Sequence, residues 1–436
     1  MNNTSYFSLL LLITSCFCLI AGISFFIVST NSNEIEKDAF RKFEPQRAAA
    51  FKWSYPDEDW DASEADAALK NVRQYFEAQE VNDFSREIGG SWRMEGPGNI
   101  GGRLNAIAQD PFDSNHILAG SAAGGLFGTN DGGANWSSLT DDFAWMAMGT
   151  IAFHPTQEGT VYIGSGDPQI SSHPRLGDGV HRSVDGGANW THLGLDSARI
   201  VSKILILEDT PEVIMVATMG NPAVKGPDRG LYRSSNSGTT WDHVLLPSDS
   251  AGVNDLAYDS STGIMIAAGW NRLRNSTRSL VLGPESKLYR SDDSGITWAS
   301  VNNPWGNENR CRIGLSENNG DFYALVVGLN MQLDNIYKSS DGGVSWLPII
   351  SDTSPLANAL GGFGWYFSKI RVNPWNSNDI TVLGVDAWNS LDGGDTWSLL
   401  TPVWWEYSVH ADKHDLQWVG PNSAVLATDG GAYRTD

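Results

Sequence analysis

Along most of this chain, short apolar runs that keep a period of two alternate with clusters of glycine, asparagine, aspartate and serine. Gly230-Leu-Tyr-Arg-Ser and Thr240-Trp-Asp-His-Val-Leu-Leu form one such pair, separated by Ser-Asn-Ser-Gly-Thr. Two alternating runs joined across a glycine- and Asx-rich cluster predict a β-hairpin. The joining phrase recurs. It reads Ser183-Val184-Asp185-Gly186-Gly187-Ala188-Asn189-Trp190, and similar phrases run from Thr129 to Trp136, Ser234 to Trp241, Ser291 to Trp298, Ser339 to Trp346 and Ser390 to Trp397. The tryptophans are spaced by 54, 51, 57, 48 and 51 residues. A repeat of that length holding about four short strands predicts propeller blades.

Each blade is expected to open on an inner strand such as Asn105-Ala-Ile-Ala, Lys203-Ile-Leu-Ile or Ser368-Lys-Ile-Arg-Val. These inner strands are expected to be small and apolar because of crowding near the axis. A seventh unit starts at Asp415-Leu-Gln-Trp, continues through Ala424-Val-Leu-Ala-Thr and stops at Gly431-Ala-Tyr-Arg-Thr-Asp436. Its missing outer strand has a candidate in Ser91-Trp92-Arg-Met, which would close the ring and leave no open edge. The expected fold is therefore all-β, a β-propeller of four-stranded blades, seven in number. The alternative is a fragment of a longer protein, with a second propeller beyond Asp436.

The first 90 residues break the pattern. Tyr6 to Val28 carries no charge and is long enough to span a bilayer. Residues 1–30 are read as a signal peptide or membrane anchor. Residues 31–90 are read as a helical spacer, since Asp61 to Ala78 has helix formers with early acids and later basic residues. Residues 91–436 form the propeller.

Composition narrows the choice of partners. Against 51 acidic residues there are 29 basic ones, a net charge of −22, which argues against a nucleic-acid or anionic-membrane surface. Any membrane contact is assigned to the N-terminal segment alone. Of three cysteines two lie in the leader, so Cys311 has no internal partner and stability must come from burial.

Ser/Thr-x-Asp-x-Gly-x-x-Trp resembles the Asp-box, or BNR repeat, of sialidase-like and sortilin-like β-propellers of the secreted bacterial type. The resemblance covers about Ser91 to Asp436 and also rests on Gly96 to Arg103, the Gly-Trp365-Tyr run and His410 to His414. It implies that Asp131, Asp185, Asn236, Asp293, Asp341 and Asp392 are structural turn residues at the blade rims. It also implies export, to the cell envelope or beyond it. Sialidases carry an Arg-Ile-Pro segment, which this sequence lacks. Xyloglucan-type hydrolases resemble the chain too, and carry a catalytic acid in a Thr-Asp-x-Gly-Gly-Ala-Tyr-Arg segment of the first blade. Here the first blade reads Ser121-Ala122-Ala123-Gly124-Gly125, without the acid. Thr428-Asp429-Gly430-Gly431-Ala432-Tyr433-Arg434 resembles that segment, one residue shorter and in the last blade.

Candidate chemistry falls where the repeats differ. In Trp404 to Asp415, His410, Asp412 and His414 would share one face of a strand and could hold a divalent metal such as Zn²⁺; a hydrogen-bonded polar cluster is the other reading. Asp167, Asp386 and Asp429 follow inner-blade runs and would either turn the chain or point acid at the axis. Asp167, Asp412 and Asp429 are the candidate catalytic acids, since paired carboxylates suit glycoside hydrolysis. Arg103, Trp365, Tyr366, Trp404, Trp405 and Glu406 are candidate ligand contacts, the aromatics offering faces for sugar stacking. The expectation is an exported propeller that binds a glycan or an extracellular protein at its channel face without catalysis. The alternatives are a glycoside hydrolase and a cell-envelope assembly scaffold.

Overall fold

The repeated phrase folds as a self-sufficient turn. Ser183 Oγ donates to Asp185 Oδ1 at 2.7 Å and accepts from the Gly187 N–H at 2.8 Å. Asp185 Oδ1 also takes the Asn189 backbone N–H at 2.9 Å, while Oδ2 takes the Asn189 side-chain amide at 2.7 Å. Gly186 and Gly187 both sit at positive φ, 73° and 98°, where a side chain would be strained. The same bonds recur in the other five boxes, with one informative variation. Asn236 keeps the acceptor role through Oδ1, taking Ser234 Oγ and the Thr240 N–H at 2.9 Å each, but its amide donates to Thr240 Oγ1. In the acidic boxes that carry a hydroxyl there, it is the donor, as with Thr297 to Asp293 at 2.6 Å. A hydroxyl can serve either way, so the amide substitutes for the acid at no loss of bonds. Trp136, Trp298 and Trp346 close their own turns by donating to the glycine carbonyl at 3.1 Å.

These turns connect third and fourth strands. The computed structural model describes residues 101–435 apart from 276–277, 307, 352–353 and 404–408, all within the unit Ala68–Asp436. Every blade is an antiparallel sheet whose strands pair in chain order; blade 2, for example, runs Met148–Phe153, Val161–Ser165, Val180–Ser183 and Thr191–His192. The inner strands of the seven blades are Leu104–Gln109, Met148–Phe153, Val201–Ile206, Ala251–Asp259, Ile313–Asn318, Lys369–Asn373 and Lys413–Gly420. Each packs on the next, and the last packs on the first, so the ring is a closed seven-bladed propeller. Second strands such as Ile117–Ser121, Val161–Ser165 and Ile214–Thr218 are buried along their whole length because both of their faces meet neighbouring blades.

The core consequently lies between blades. Tyr162 and Val180 of blade 2 pack with Val201, Ile204, Ile214 and Val216 of blade 3. Leu104, Ile107 and Ile117 of blade 1 meet Val425 and Ala427 of blade 7, which seals the circle. The seal is tight where the chain enters blade 1: a Cβ on Gly101 would stand 1.9 Å from the Gly430 carbonyl oxygen. Blade 7 has three strands among the described residues, Lys413–Gly420, Ser423–Thr428 and Gly431–Thr435. Its expected fourth strand at Ser91-Trp92, the apolar leader and the helical spacer all lie outside the described residues.

One expectation is corrected here. The inner strands are not uniformly small and apolar. They carry Lys203, Asp255, Lys369, Arg371 and Asp415, and Lys203, Lys369, Arg371 and Asp415 line a channel cavity of about 110 Å³. Seven inner strands around one axis leave room for water there, so polar side chains do not have to be excluded.

The boxes also set an acid limit. Hydrogen bonds from Asn135 hold the Asp131 carboxyl down to about 2, and those from Ser183 and Asn189 do the same for Asp185; Asp341 and Asp392 are likewise held at about 2. A carboxyl depressed in the folded state contributes stability above its ordinary value near 4, and loses that contribution as the pH falls toward 2. Denaturant midpoints are expected to be level from pH 6 to 5 and to fall between pH 4 and 2. Replacing Asp185 by asparagine, as nature has done at position 236, should flatten part of that slope.

Candidate functional site

Antiparallel pairing puts the third-to-fourth turns, and hence every box, at one end of the propeller. The loops between second and third strands and the loops that enter each inner strand lie at the other. Arg103, Asp167, Tyr366, Asp412 and Asp429 all belong to that second end. The topology alone therefore separates the boxes from the residues that differ between blades.

At this end, three blades meet through Arg103. It lies just before the inner strand of blade 1, and its guanidinium donates to the Asp167 carboxylate of blade 2 and to the Tyr366 hydroxyl ahead of blade 6. Asp167 is wholly buried; its other oxygen accepts from Asn105 Nδ2 at 3.3 Å and the Gln169 N–H at 3.1 Å. Burial opposes the charge on Arg103, yet Asp167 and Tyr366 hold it above its ordinary value. Burial pushes the Tyr366 hydroxyl up to about 12, so it stays neutral and can donate onward. Below this network Arg312, fully buried, donates to Gln169 Oε1 at 2.6 Å and to the Tyr366 carbonyl at 3.3 Å, and its plane lies over Trp270 at 4.9 Å. It ties the blade 2 loop to the 365–366 loop. Nothing in the sequence marks this role, because Arg312 reads there as an ordinary strand residue.

Blade 7 supplies the second half. Asp412 is bent into a positive φ of 63°, and its carbonyl accepts the Asp429 N–H at 3.1 Å. That hook sets the turn of Asp429 beside Asp412. His414 is buried between the rings of Tyr366 and Phe367, 5.1 and 5.6 Å away, and its Nε2 meets Asp429 Oδ1 at 2.6 Å. His414 Nδ1 has no hydrogen-bond partner. The tautomer consistent with this places the proton on Nε2, because a buried lone pair without a partner costs less than a buried N–H without one. Asp429 is therefore an acceptor, with 30% of its side chain exposed at the channel mouth. Burial, and then the charge of Asp429, raise Asp412 above the usual carboxylate range. A carboxyl held toward its protonated form beside a second carboxylate is a common arrangement of an acid and a base.

The remaining sequence candidates are placed as follows. Asp167 is at the site, but both of its oxygens are occupied by buried donors, which suits anchoring and leaves no free oxygen for a reacting group. Arg103 and Tyr366 are joined directly. Trp365 is partly buried, and Arg272 covers its ring at 5.5 Å, so that face is already used. Trp404, Trp405 and Glu406 lie outside the described residues. Asp386 faces Lys413 Nζ at 3.5 Å.

The expected metal face of His410, Asp412 and His414 needs correction. The strand begins only at Lys413, its register shifts between Lys413 and Asp415, and the positive φ at Asp412 breaks the alternation. His410 Nδ1 turns to the Ala411 carbonyl at 2.9 Å and His414 Nε2 to Asp429, so the donors do not converge.

No protein-family model matches the chain. Among curated proteins, a xyloglucanase of Acetivibrio thermocellus is 23% identical over 354 residues, 72% of this chain and 40% of that enzyme. A probable oligoxyloglucan-reducing end-specific xyloglucanase of Neosartorya fischeri is 24% identical over 350 residues, 75% of this chain and 37% of its own length. The chain thus spans about 40% of the length of these relatives. Among solved structures, the GH74 xyloglucanase from Xanthomonas campestris superposes with a TM-score of 0.58 at 17% identity, over 79% of this chain and 53% of that one. YCF48 bound to a D1 peptide superposes at 0.51 and 18% identity, over 80% of this chain and 99% of that one. The structural matches establish the propeller fold. The curated relatives overturn the expectation of a non-catalytic binding propeller: sequence similarity running over nearly three quarters of the chain leads to glycoside hydrolases. The alanine at position 122 had pointed the other way, because the segment that does carry an acid, Thr428 to Arg434, is one residue shorter and lies in the last blade.

Proposed function

We propose that this chain is the propeller unit of a glycoside hydrolase acting on xyloglucan or a closely similar branched β-glucan. One observation carries the reading. The Thr428 to Arg434 segment, which resembles the acid-bearing turn of xyloglucan-type hydrolases, packs against the entry to blade 1, with Gly101 on Gly430. Because the ring closes blade 7 onto blade 1, Asp429 occupies the second-to-third turn one seam away from the turn that carries the acid in the resembling enzymes. In this reading Asp429 acts as base or nucleophile, held by His414, and Asp412 is the acid that protonates the leaving oxygen. Arg103 and Tyr366 stand beside them as polar contacts to sugar hydroxyls. Asp167 holds Arg103 in place. The box sequences support membership of the Asp-box propellers, and export fits the resemblance on which it was first expected.

The test is release of reducing ends from xyloglucan by the purified chain, with unbranched cellulose and mixed-linkage β-glucan in parallel. Turnover on xyloglucan exceeding that on the unbranched chains is the expected result. No turnover on any of them, with a folded propeller by circular dichroism, would remove the proposal.

A further inference from the structure

On the outer half of blade 2, two imidazoles and a carboxylate converge away from the channel. His181 and His192 are paired directly across the third and fourth strands, with ring centroids 4.8 Å apart. Asp178 leads into the third strand, and its Oδ1 lies 3.0 Å from His181 Nε2. The same oxygen accepts from Ser165 Oγ at 3.0 Å. One donor atom from each of the three lies within 4.8 Å of the others, and among the described residues no other three His, Cys, Asp or Glu side chains gather in this way. We propose that Asp178, His181 and His192 form a binding site for a divalent transition metal of the class that prefers imidazole, with Zn²⁺ as the probe.

The donor set and its geometry both suit this class. Two neutral imidazoles and one carboxylate make the three-ligand set of an open tetrahedral site. Ligand arms of about 2.0–2.1 Å place tetrahedral donors roughly 3.3 Å apart. The Asp178–His181 distance of 3.0 Å is already close to that. His192 must make the adjustment, and it can, because 38% of its side chain is exposed. Its Nε2 now meets the Asp178 carbonyl at 2.7 Å. Asp196, 3.6 Å from His192 Nε2, is the nearest side chain for the fourth position. His181 is fixed by Phe143, whose ring lies 4.6 Å away.

Asp178 closes the loop that Asp167 opens, so an ion here would fix the far end of the loop that anchors Arg103.

Zn²⁺ titrated into the tag-free chain in a calorimeter should show one saturable equivalent lost in His192→Ala and in Asp178→Asn. Each is expected to weaken affinity by roughly tenfold or more. Co²⁺ added to the wild-type chain should give visible absorption of tetrahedral type, and His192→Ala should abolish it. His410→Ala should change neither. His192 is surface-exposed, so its variant tests the site even if Asp178→Asn folds poorly. Absence of saturable binding overturns the proposal, as does wild-type affinity in His192→Ala, or loss in His410→Ala, which would put the ion at the channel mouth.

Discussion

Asp429→Asn is expected to lower xyloglucan turnover by at least about 100-fold with KM little changed, since a positioned acid or base contributes about 10²–10⁴-fold to the step it serves. Asparagine preserves the shape of the side chain and still accepts from His414 Nε2, so packing around His414 is retained. What disappears is the charge. Asp412→Asn should cost a similar factor by a different route, and two readouts separate the pair. If Asp412 is the acid, its activity depends on the protonated form that burial and Asp429 favour. Wild-type activity should then fall on the alkaline side as Asp412 ionises, and that limb should vanish from the residual activity of Asp412→Asn. An aryl glycoside, whose leaving group needs no proton, should restore turnover to Asp412→Asn but not to Asp429→Asn. Full activity in Asp429→Asn would sink the assignment. Asp167→Asn provides the contrast: its effect should appear in stability and in KM, through a loosened Arg103.

The fold was legible because each blade needs the same turn. Ser183, Asp185 and Gly187 satisfy one another locally, so the box can be read from eight consecutive residues, and its six copies mark six of the seven blades. The candidate site was legible only as separate residues. Arg103, Tyr366, Asp412 and Asp429 stood out as departures from the repeat, but Arg103 and Tyr366 are 263 positions apart and Arg103 and Asp167 64. Their joining depends on where the ring closes, which no local pattern states. Strand alternation predicted the wrong grouping at His410 to His414 because one residue of positive φ, Asp412, rotates everything after it. The true convergence, His181 with His192, lay across a box, where sequence separation hides a cross-strand pair.

Ring closure also changes what the alanine at position 122 implies. A linear reading compares blade 1 with blade 1 and finds alanine at position 122. On the closed ring, blade 7 is the neighbour of blade 1, and an acid in its equivalent turn faces the same mouth. Arg312 and Arg272 were missed for a related reason. Each lies just outside a strand, Arg272 after Ile264–Asn271 and Arg312 before Ile313–Asn318, and finds a backbone carbonyl of another blade, Ile170 for Arg272 and Tyr366 for Arg312.

Asp255→Asn tests the channel that the same closure creates. Asp255 is almost fully buried, accepts the Leu315 N–H at 3.0 Å, and lies 3.9 Å from Lys369 Nζ. Burial opposes its ionisation, but Lys369, Lys203 and Arg371 hold it below the usual carboxylate range. Three cations thus share Asp255 and Asp415, and burial already pushes Lys369 down to about 8. Asparagine keeps an acceptor for Leu315 while removing one of the two negative charges. Breaking a buried ion pair from one side costs about 3–5 kcal/mol, a large part of the roughly 5–15 kcal/mol that hold a domain together. The loss should depend on pH in a definite direction. A lysine whose folded value lies below its unfolded one binds fewer protons when folded, so stability rises as pH increases from the folded value toward about 10.4. Without Asp255, Lys369 falls further, and the deficit measured by denaturant at pH 6 should shrink at pH 9. Adding Lys369→Met to Asp255→Asn should recover much of the loss at pH 6, a coupling that a double-mutant cycle measures directly. Equal midpoints for wild type and Asp255→Asn at pH 6 would mean that channel water, rather than Asp255, compensates the three cations.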